Sequence, residues 1–435
     1  MTRAMKNSGV EWIGQIPESW NTIRLKMIAP ILRGASPRPI NDPKYFDDNG
    51  NYYWVRINDV TKSNGYLYSC AQKLSNIGAE LSVKLEPNTL FISICATLGK
   101  PCITKIPCCI HDGFIYFYRL DKRLNKYLYY VFEAGKCFEG LAKLGTQQNL
   151  NTFLIGNIKI ALPYNHKQIQ AIADYLDDKC AQIDNITATI NEQIEVLKQY
   201  KKSVITEAVT KGLDPNVPMK DSGVEWIGQI PEHWKVVRLK YLGTCNNGLT
   251  YKPSDLVEPN EGVIVLRSSN IKEGKLVFND NVYVDESIAI NSMLKEGDIL
   301  ICSRNGSREL IGKNTVIPKG LKAGFGAFMM VYRTNSYNYI HKILNSHIFS
   351  YYLGTFFTST INQLTTKNFE NMKIVYTPYE SEQQAIANYL DDKCAQIDAI
   401  IANKQAQLET LAAYKKSLIY EYVTGKKSVP GFEEA

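Results

Sequence analysis

A chain of 435 residues, 45% hydrophobic and 21% charged, is ordinary folding material and long enough for two to four domains rather than a single core. Its net charge of +7 permits a polyanionic partner without demanding one, so the placement of charge has to decide. No apolar run reaches the roughly 18 residues of a membrane span and the opening MTRAMKNSGVEW lacks a signal-peptide core, so a cytoplasmic protein is expected. The ten cysteines include adjacent Cys108 and Cys109 but no C-x-x-C pair, and the five histidines are scattered. That argues against a disulfide framework or a zinc ribbon and for reduced, mostly buried thiols.

The first feature in chain order is SGVEWIGQIPE at 8–18, which returns unchanged at 222–232, an offset of 214. The match continues through Trp20 and Trp234 and through Arg24-Leu25-Lys26 and Arg238-Leu239-Lys240. YLDDKCAQID at 175–184 and 389–398 keeps the offset, as do Tyr200-Lys201-Lys202-Ser203 and Tyr414-Lys415-Lys416-Ser417. The chain is therefore two copies of leader, body and tail, identical mainly in leader and tail and diverged in the body. Two units of 214 residues are not a solenoid, which stacks three or more repeats of about 20 to 50 residues, and a pseudo-twofold arrangement is expected. The expected division is 1–163 for the first leader and body, 164–212 for a helix, 213–377 for the second leader and body, 378–425 for a second helix and 426–435 for a tail.

Each body reads as mixed α/β. Strands are expected at 52–57, 89–95 and 114–120 in the first and at 263–268, 298–303 and 328–333 in the second, separated by loops rich in Gly, Asn and Ser. Both tails run from a proline (Pro163, Pro378) to a glycine (Gly212, Gly425) with neither residue type between, which predicts one long helix each. Apolar residues at alternating three and four steps give a coiled-coil seam of Ile172, Leu176, Ile183, Ile186, Ile190 and Leu197 in the first tail. In the second, the seam is Ile386, Leu390, Ile397, Ile400 and Leu411, with Lys393, Lys404 and Gln407 at seam positions. Some 40 helical residues make a rod of roughly 60 Å, and antiparallel pairing of the two tails would hold the bodies apart at a defined separation. The alternative is a coiled coil joining separate chains.

Catalytic signatures are missing. The phosphate-loop pattern, the G-x-S-x-G elbow, H-E-x-x-H and a glycine-rich dinucleotide turn are all absent. The Pro-Tyr pairs at 163–164 and 378–379 lack the Asn/Asp-Pro-Pro-Tyr pattern of amino methyltransferases and read as helix starts. Asp177-Asp178 and Asp391-Asp392 sit inside the helices beside lysine and read as a solvated charged face. The segment 301–322 does suit DNA: Arg304, Asn305, Arg308 and Lys313 stand on a loop after a strand, and Arg reads guanine as Asn reads adenine while Lys neutralises phosphate. Its counterpart in the first body offers Lys100. Further candidate contacts are Arg56 and Asp59 with their counterparts Arg267 and Asn270, and Gln147, Gln148 and Asn149 with Lys367 and Asn368. The bland reading of these residues is solvated loops and helix caps.

Taken in order, the duplicated GVEWIGQIPE leader, the diverged bodies and the helix entries at 163–176 and 378–390 (PYNHKQIQAIADYL and PYESEQQAIANYL) resemble the specificity subunit of type I restriction-modification systems. The resemblance spans nearly the whole chain. It implies a non-catalytic DNA-reading subunit with two target recognition domains, each reading half of a split site across a gap set by the paired helices. It also implies partners: double-stranded DNA, two modification subunits and the restriction subunits. S-adenosylmethionine, ATP and Mg²⁺ would belong to those subunits, and no cofactor or metal is expected in this chain. The rival reading is a coiled-coil scaffold whose bodies bind proteins.

Overall fold

Trp20 and Trp234, matched just beyond the two identical leaders, are both fully buried, and they show what the duplicated segments do. In the computed structural model, which describes residues 3–139, 141, 150–356 and 362–432, the chain forms two compact units. One comprises Met1–Ile190 with Gln405–Ala435, the other Asn191–Lys404, so the boundary falls inside both long helices, His166–Lys211 and Glu380–Val423.

In the first unit, Ile13, Ile16 and Trp20 of the leader pack with Ile419 and Val423 at the end of the second long helix. In the second unit, Ile230 and Trp234 pack with Ile205, Ala208 and Val209 at the end of the first. Each leader is thus a socket for a helix end. The helices stop where the glycines predict, with Gly212 and Gly425 in the left-handed region at φ +77° and +71°. A side chain at Gly425 would meet the Pro17 ring at 2.6 Å, so the socket also demands the bare residue.

The tails pair with each other inside each unit, which is why both copies kept the same residues. In the first unit Lys415 donates to Asp184 at 2.6 Å, and in the second Lys201 donates to Asp398 at 2.7 Å. These are the same lysine and aspartate of the repeat, exchanged between copies. Tyr175 packs on Tyr422 in the first unit, and Lys404 donates to Gln193 at 2.6 Å in the second, so the two helices of each pair run antiparallel. Reversing one charge, Lys201→Glu, is expected to lower stability by about 1 kcal/mol, and adding Asp398→Lys to restore most of it, as read by urea unfolding of single and double variants.

The seam itself differs from the periodic reading. Ile172, Leu176, Ile183, Ile190, Ile386, Leu390 and Ile397 are buried, but Ile186 and Ile400 are 49% and 48% exposed, and Leu197 and Leu411 are only half-buried. Strict alternation of those steps also runs through 179, 193, 200 and 204, but the buried positions are Cys180, Ile194 and Ile205, and half-buried Thr187 and Lys201 replace 186 and 200. The second helix makes the same one-residue change at Cys394, Ile401, Leu408 and Lys415. A step of four precedes the step of three here, and apolar residues on both sides of the stripe make the two orders equally periodic. The corrected seam places Lys201 and Lys415 where they can reach their partners. Asp177 is likewise more than solvated surface: Tyr130 Oη donates to it at 2.6 Å and Lys126 Nζ lies 2.5 Å away, tying the helix to its body.

The bodies are built alike. In the first, a sheet ordered Ile31–Arg33, Phe114–Phe117, Thr89–Ser93, Pro101–Thr104, Tyr66–Leu67 is antiparallel except at its last pair. A second sheet runs Gln72–Leu74, Tyr52–Val55, Cys108–Ile110, Val83–Leu85. In the second body the sheets are Thr244–Asn247, Met329–Arg333, Ile299–Cys302, Asn314–Val316 and Tyr283–Val284, Val263–Leu266, Ala323–Phe325. All six expected strands are present with trimmed ends; the short partners at 101–104, 108–110, 314–316 and 323–325 fall below the length at which alternation is legible. The ten cysteines are all free thiols, and burial pushes Cys108 up to about 12, out of reactive range. Among the described residues no helix is long and apolar enough to cross a membrane.

Candidate nucleic-acid interface

A cleft opens at the same place in both bodies. Strand register defines the equivalence: Phe114 pairs with Ser93 as Met329 pairs with Cys302, and Arg33 pairs with Ile115 as Asn247 pairs with Met330. The next residue is glycine in both copies, Gly34 and Gly248, because a Cβ there would lie 2.2 Å from the His111 or Gly326 carbonyl. That close approach sets the strand end against His111 and Gly326, which line the two clefts. One wall is the segment entering a short helix, held to the sheet by Leu150 N–H on the Ile94 carbonyl (3.2 Å) and by Leu364 N–H on the Ser303 carbonyl (2.8 Å).

In the second unit the cleft has a volume of about 1300 Å³ and is lined by Tyr251, Arg267, Asp280, Arg304, Asn305, Phe328 and Gln363, among others. Arg304 is exposed, with its guanidinium 5.5 Å from the centroid of the Phe328 ring, itself 59% exposed. Its backbone is pinned by an N–H bond to the Phe328 carbonyl (3.1 Å) and a bridge to Gln363. Asn305 donates to Ser268 Oγ (2.8 Å), and Arg267 donates to the Asp280 carboxylate (2.8 Å). The 301–322 segment meets residues 362–364 here, Asn362 Nδ2 reaching the Gly306 carbonyl (3.5 Å), and just beyond them Thr366 donates to Asn247 Oδ1 (3.2 Å). Exposed Arg and aromatic groups over a floor of Asn, Gln and Ser make a surface able to donate to and stack on base edges.

In the first unit the equivalent cleft is lined by Arg33, Cys95, His111, Asp112, Asn151 and Thr152, with a volume of about 520 Å³. Asp112 Oδ1 accepts from Ser36 Oγ (2.9 Å) and Oδ2 from Arg38 (3.2 Å), while its main-chain carbonyl accepts from Arg33 Nε. Burial raises the Asp112 carboxyl, but the Ser36 hydroxyl, its own backbone N–H and the Arg33 guanidinium outweigh it and hold the group below the usual carboxylate range. His111 Nδ1 accepts the Gly113 N–H (2.8 Å), which leaves its proton on Nε2, and burial keeps the ring neutral by lowering its pKa. Among the described residues no group of three or more His, Cys, Asp or Glu is gathered to hold a metal.

The family model described as type I restriction modification DNA specificity domain matches this chain twice, over residues 17–196 and 231–410. The chain belongs to that family. The type I restriction enzyme MjaVIII specificity subunit of Methanocaldococcus jannaschii is 27% identical over 425 residues, covering 95% of this chain and 94% of that protein. The EcoKI specificity subunit of Escherichia coli is 25% identical over 205 residues, 46% of this chain and 44% of that one. A solved chain from work on complex assembly and conformational transition of the type I R-M system shares the fold with TM-score 0.69 at 16% identity, covering 95% of this chain and 99% of its own.

In this specificity subunit the expected contacts divide sharply. Arg304, Asn305 and Arg267 line the second cleft, and Lys367 is exposed on the helix Thr366–Glu370 that flanks it. Arg308 is exposed on the Arg308–Leu310 turn outside the lining. Lys313 turns inward, its Nζ donating to the Ile271 carbonyl (2.9 Å), and burial lowers its pKa. Asn270 is fully buried and accepts the Arg267 N–H (2.9 Å), as Asp59 accepts the Arg56 N–H (2.9 Å), so these matched pairs are helix caps. Asn368 donates its N–H to the capping Thr365 hydroxyl. Lys100 is held on both oxygens of Glu133 at 3.0 Å. Gln147, Gln148 and Asn149 lie outside the described residues. Arg33, the His111-Asp112 pair, Tyr251 and Phe328 were missed because they come from separate segments and form no motif; the glycine shared at 34 and 248 was the available signal.

Proposed function

We propose that this chain is the DNA-reading subunit of a type I restriction-modification complex, each unit reading one half of a bipartite, asymmetric site and the paired helices setting the gap. The observation that supports it is the pair of equivalent clefts: one backbone framework, two different sets of outward-facing side chains. A reader of two unlike half-sites needs that combination, whereas a symmetric protein-binding scaffold would keep its two bodies similar. Helices of 46 and 44 residues have lengths of roughly 70 and 65 Å, enough to span one to two turns of B-DNA at about 34 Å each.

The chain itself performs no chemistry in this reading and works in the cytoplasm. Two modification subunits would bring S-adenosylmethionine and methylate adenine, and restriction subunits would use ATP and Mg²⁺. Apolar side chains left exposed on the helices, among them Ile186, Val196 and Tyr200, suit a partner protein's surface. The deciding experiment maps methylated adenines in a host genome with and without this chain in the presence of its partner subunits. A split motif that appears only with the chain is the expected result; methylation unchanged by its removal would refute the reading.

A further inference from the structure

The first unit's cleft contains an acidic residue where a DNA-binding surface should avoid one, and the surrounding geometry accounts for it. We propose that Asp112 is a positioning residue that aims Arg33 and Arg38 at the acceptor edge of a guanine in the first half-site, an inference that rests on the DNA-reading function above.

The donors converge on this one residue from separate parts of the strand–loop run at 31–38. Arg33 bonds its main-chain carbonyl and Arg38 and Ser36 bond its two carboxylate oxygens, so each oxygen of Asp112 already accepts from the protein. Two arginines against one carboxylate leave a net positive rim, and the Arg38 side chain is 80% exposed although tethered. A guanidinium is a rigid planar fork, so a hydrogen bond at one nitrogen limits where its remaining N–H groups can lie, and that fork is what bidentate donation to guanine O6 and N7 uses. His111, which lines the cleft, carries its proton on Nε2, while Asn151 Oδ1 is occupied by the Leu154 N–H as a helix cap. The cleft therefore presents donors and almost no free acceptors, which favours guanine over adenine. The second unit uses the same device at another position, with Arg267 braced on Asp280.

The test expresses the full chain with its partner subunits and maps methylated adenines for Asp112→Asn, Arg33→Ala and Arg38→Ala beside the unaltered protein. Expected is a relaxed preference at one base pair of the first half-site, roughly five- to 150-fold for each arginine variant, with the second half-site and the gap unchanged. Because Arg38 is so exposed, its variant stays folded and keeps the test valid if Asp112→Asn does not fold. An unchanged first half-site in all three, or a uniform loss of methylation with no relaxation, overturns the assignment. If the unaltered chain directs no split motif, the underlying DNA-reading function fails instead.

Discussion

Trp234→Ala is expected to destabilise the second unit by about 3–5 kcal/mol, measured by urea unfolding of the full chain, because it empties the socket in which a long helix ends. The ring is fully buried among Ile205, Val209 and Ile386. Its Nε1–H donates to Glu382 Oε2 at 3.0 Å, and the same carboxylate meets His233 at 3.1 Å. Glu382→Ala, which keeps the ring but removes its acceptor, should cost about 1–3 kcal/mol. Trp20 fills the equivalent socket, but its Nε1 has no hydrogen-bond partner and the residue matching Glu382 is Gln168, so in that unit the loss is of packing and of the Arg3 guanidinium over the ring (5.4 Å), with no hydrogen bond broken. Substituting Tyr379, which is 57% exposed at the same helix entry, should change stability by less than about 0.5 kcal/mol. A Trp234→Ala loss no larger than that control would show that the leader is not a socket.

Arg304→Ala is expected to relax discrimination at one base pair of the second half-site by about 1–3 kcal/mol, leaving the first half-site and the gap unaltered in the methylation map. Arg304→Lys should fare little better, because an ammonium cannot offer two parallel N–H groups or stack flat on Phe328. Phe328→Ala removes the ring that holds the guanidinium and should show a weaker form of the same relaxation, about 0.5–1 kcal/mol. Lys313→Ala separates reading from folding: that lysine is bonded to the Ile271 carbonyl inside the unit, so stability should fall while base preference stays. Equal losses at both half-sites after Arg304→Ala would contradict the assignment of one reader to each unit.

These predictions use different amounts of the sequence. The 214-residue offset, the breaker-to-breaker tails and the six longer strands could all be read from residue order, since each is a property of local spacing. The seam could be read only to within one residue. Val204 and Ile205 satisfy periodicity equally well, and the choice was made by packing with segments distant in the chain, Ile205 lying in one cluster with Ile386 and Leu390. The candidate contacts were less legible still. Asn270 and Asp59 have the right chemistry for a base edge, but a hydrogen-bonding side chain two or three residues into a turn is more stably spent on its own backbone.

The sequence by itself determined that this protein is one framework used twice, because identical leaders, tails and socket residues follow from the repeat alone. Only the tertiary structure decided which residues face a ligand. Arg33, Arg38, Ser36 and Asp112 become one site through the pairing of strand 31–33 with strand 114–117 and the close approach that Gly34 allows. Linear spacing records what a residue can donate or accept. Whether a local cap, a buried carbonyl or open solvent receives it is settled when distant segments pack.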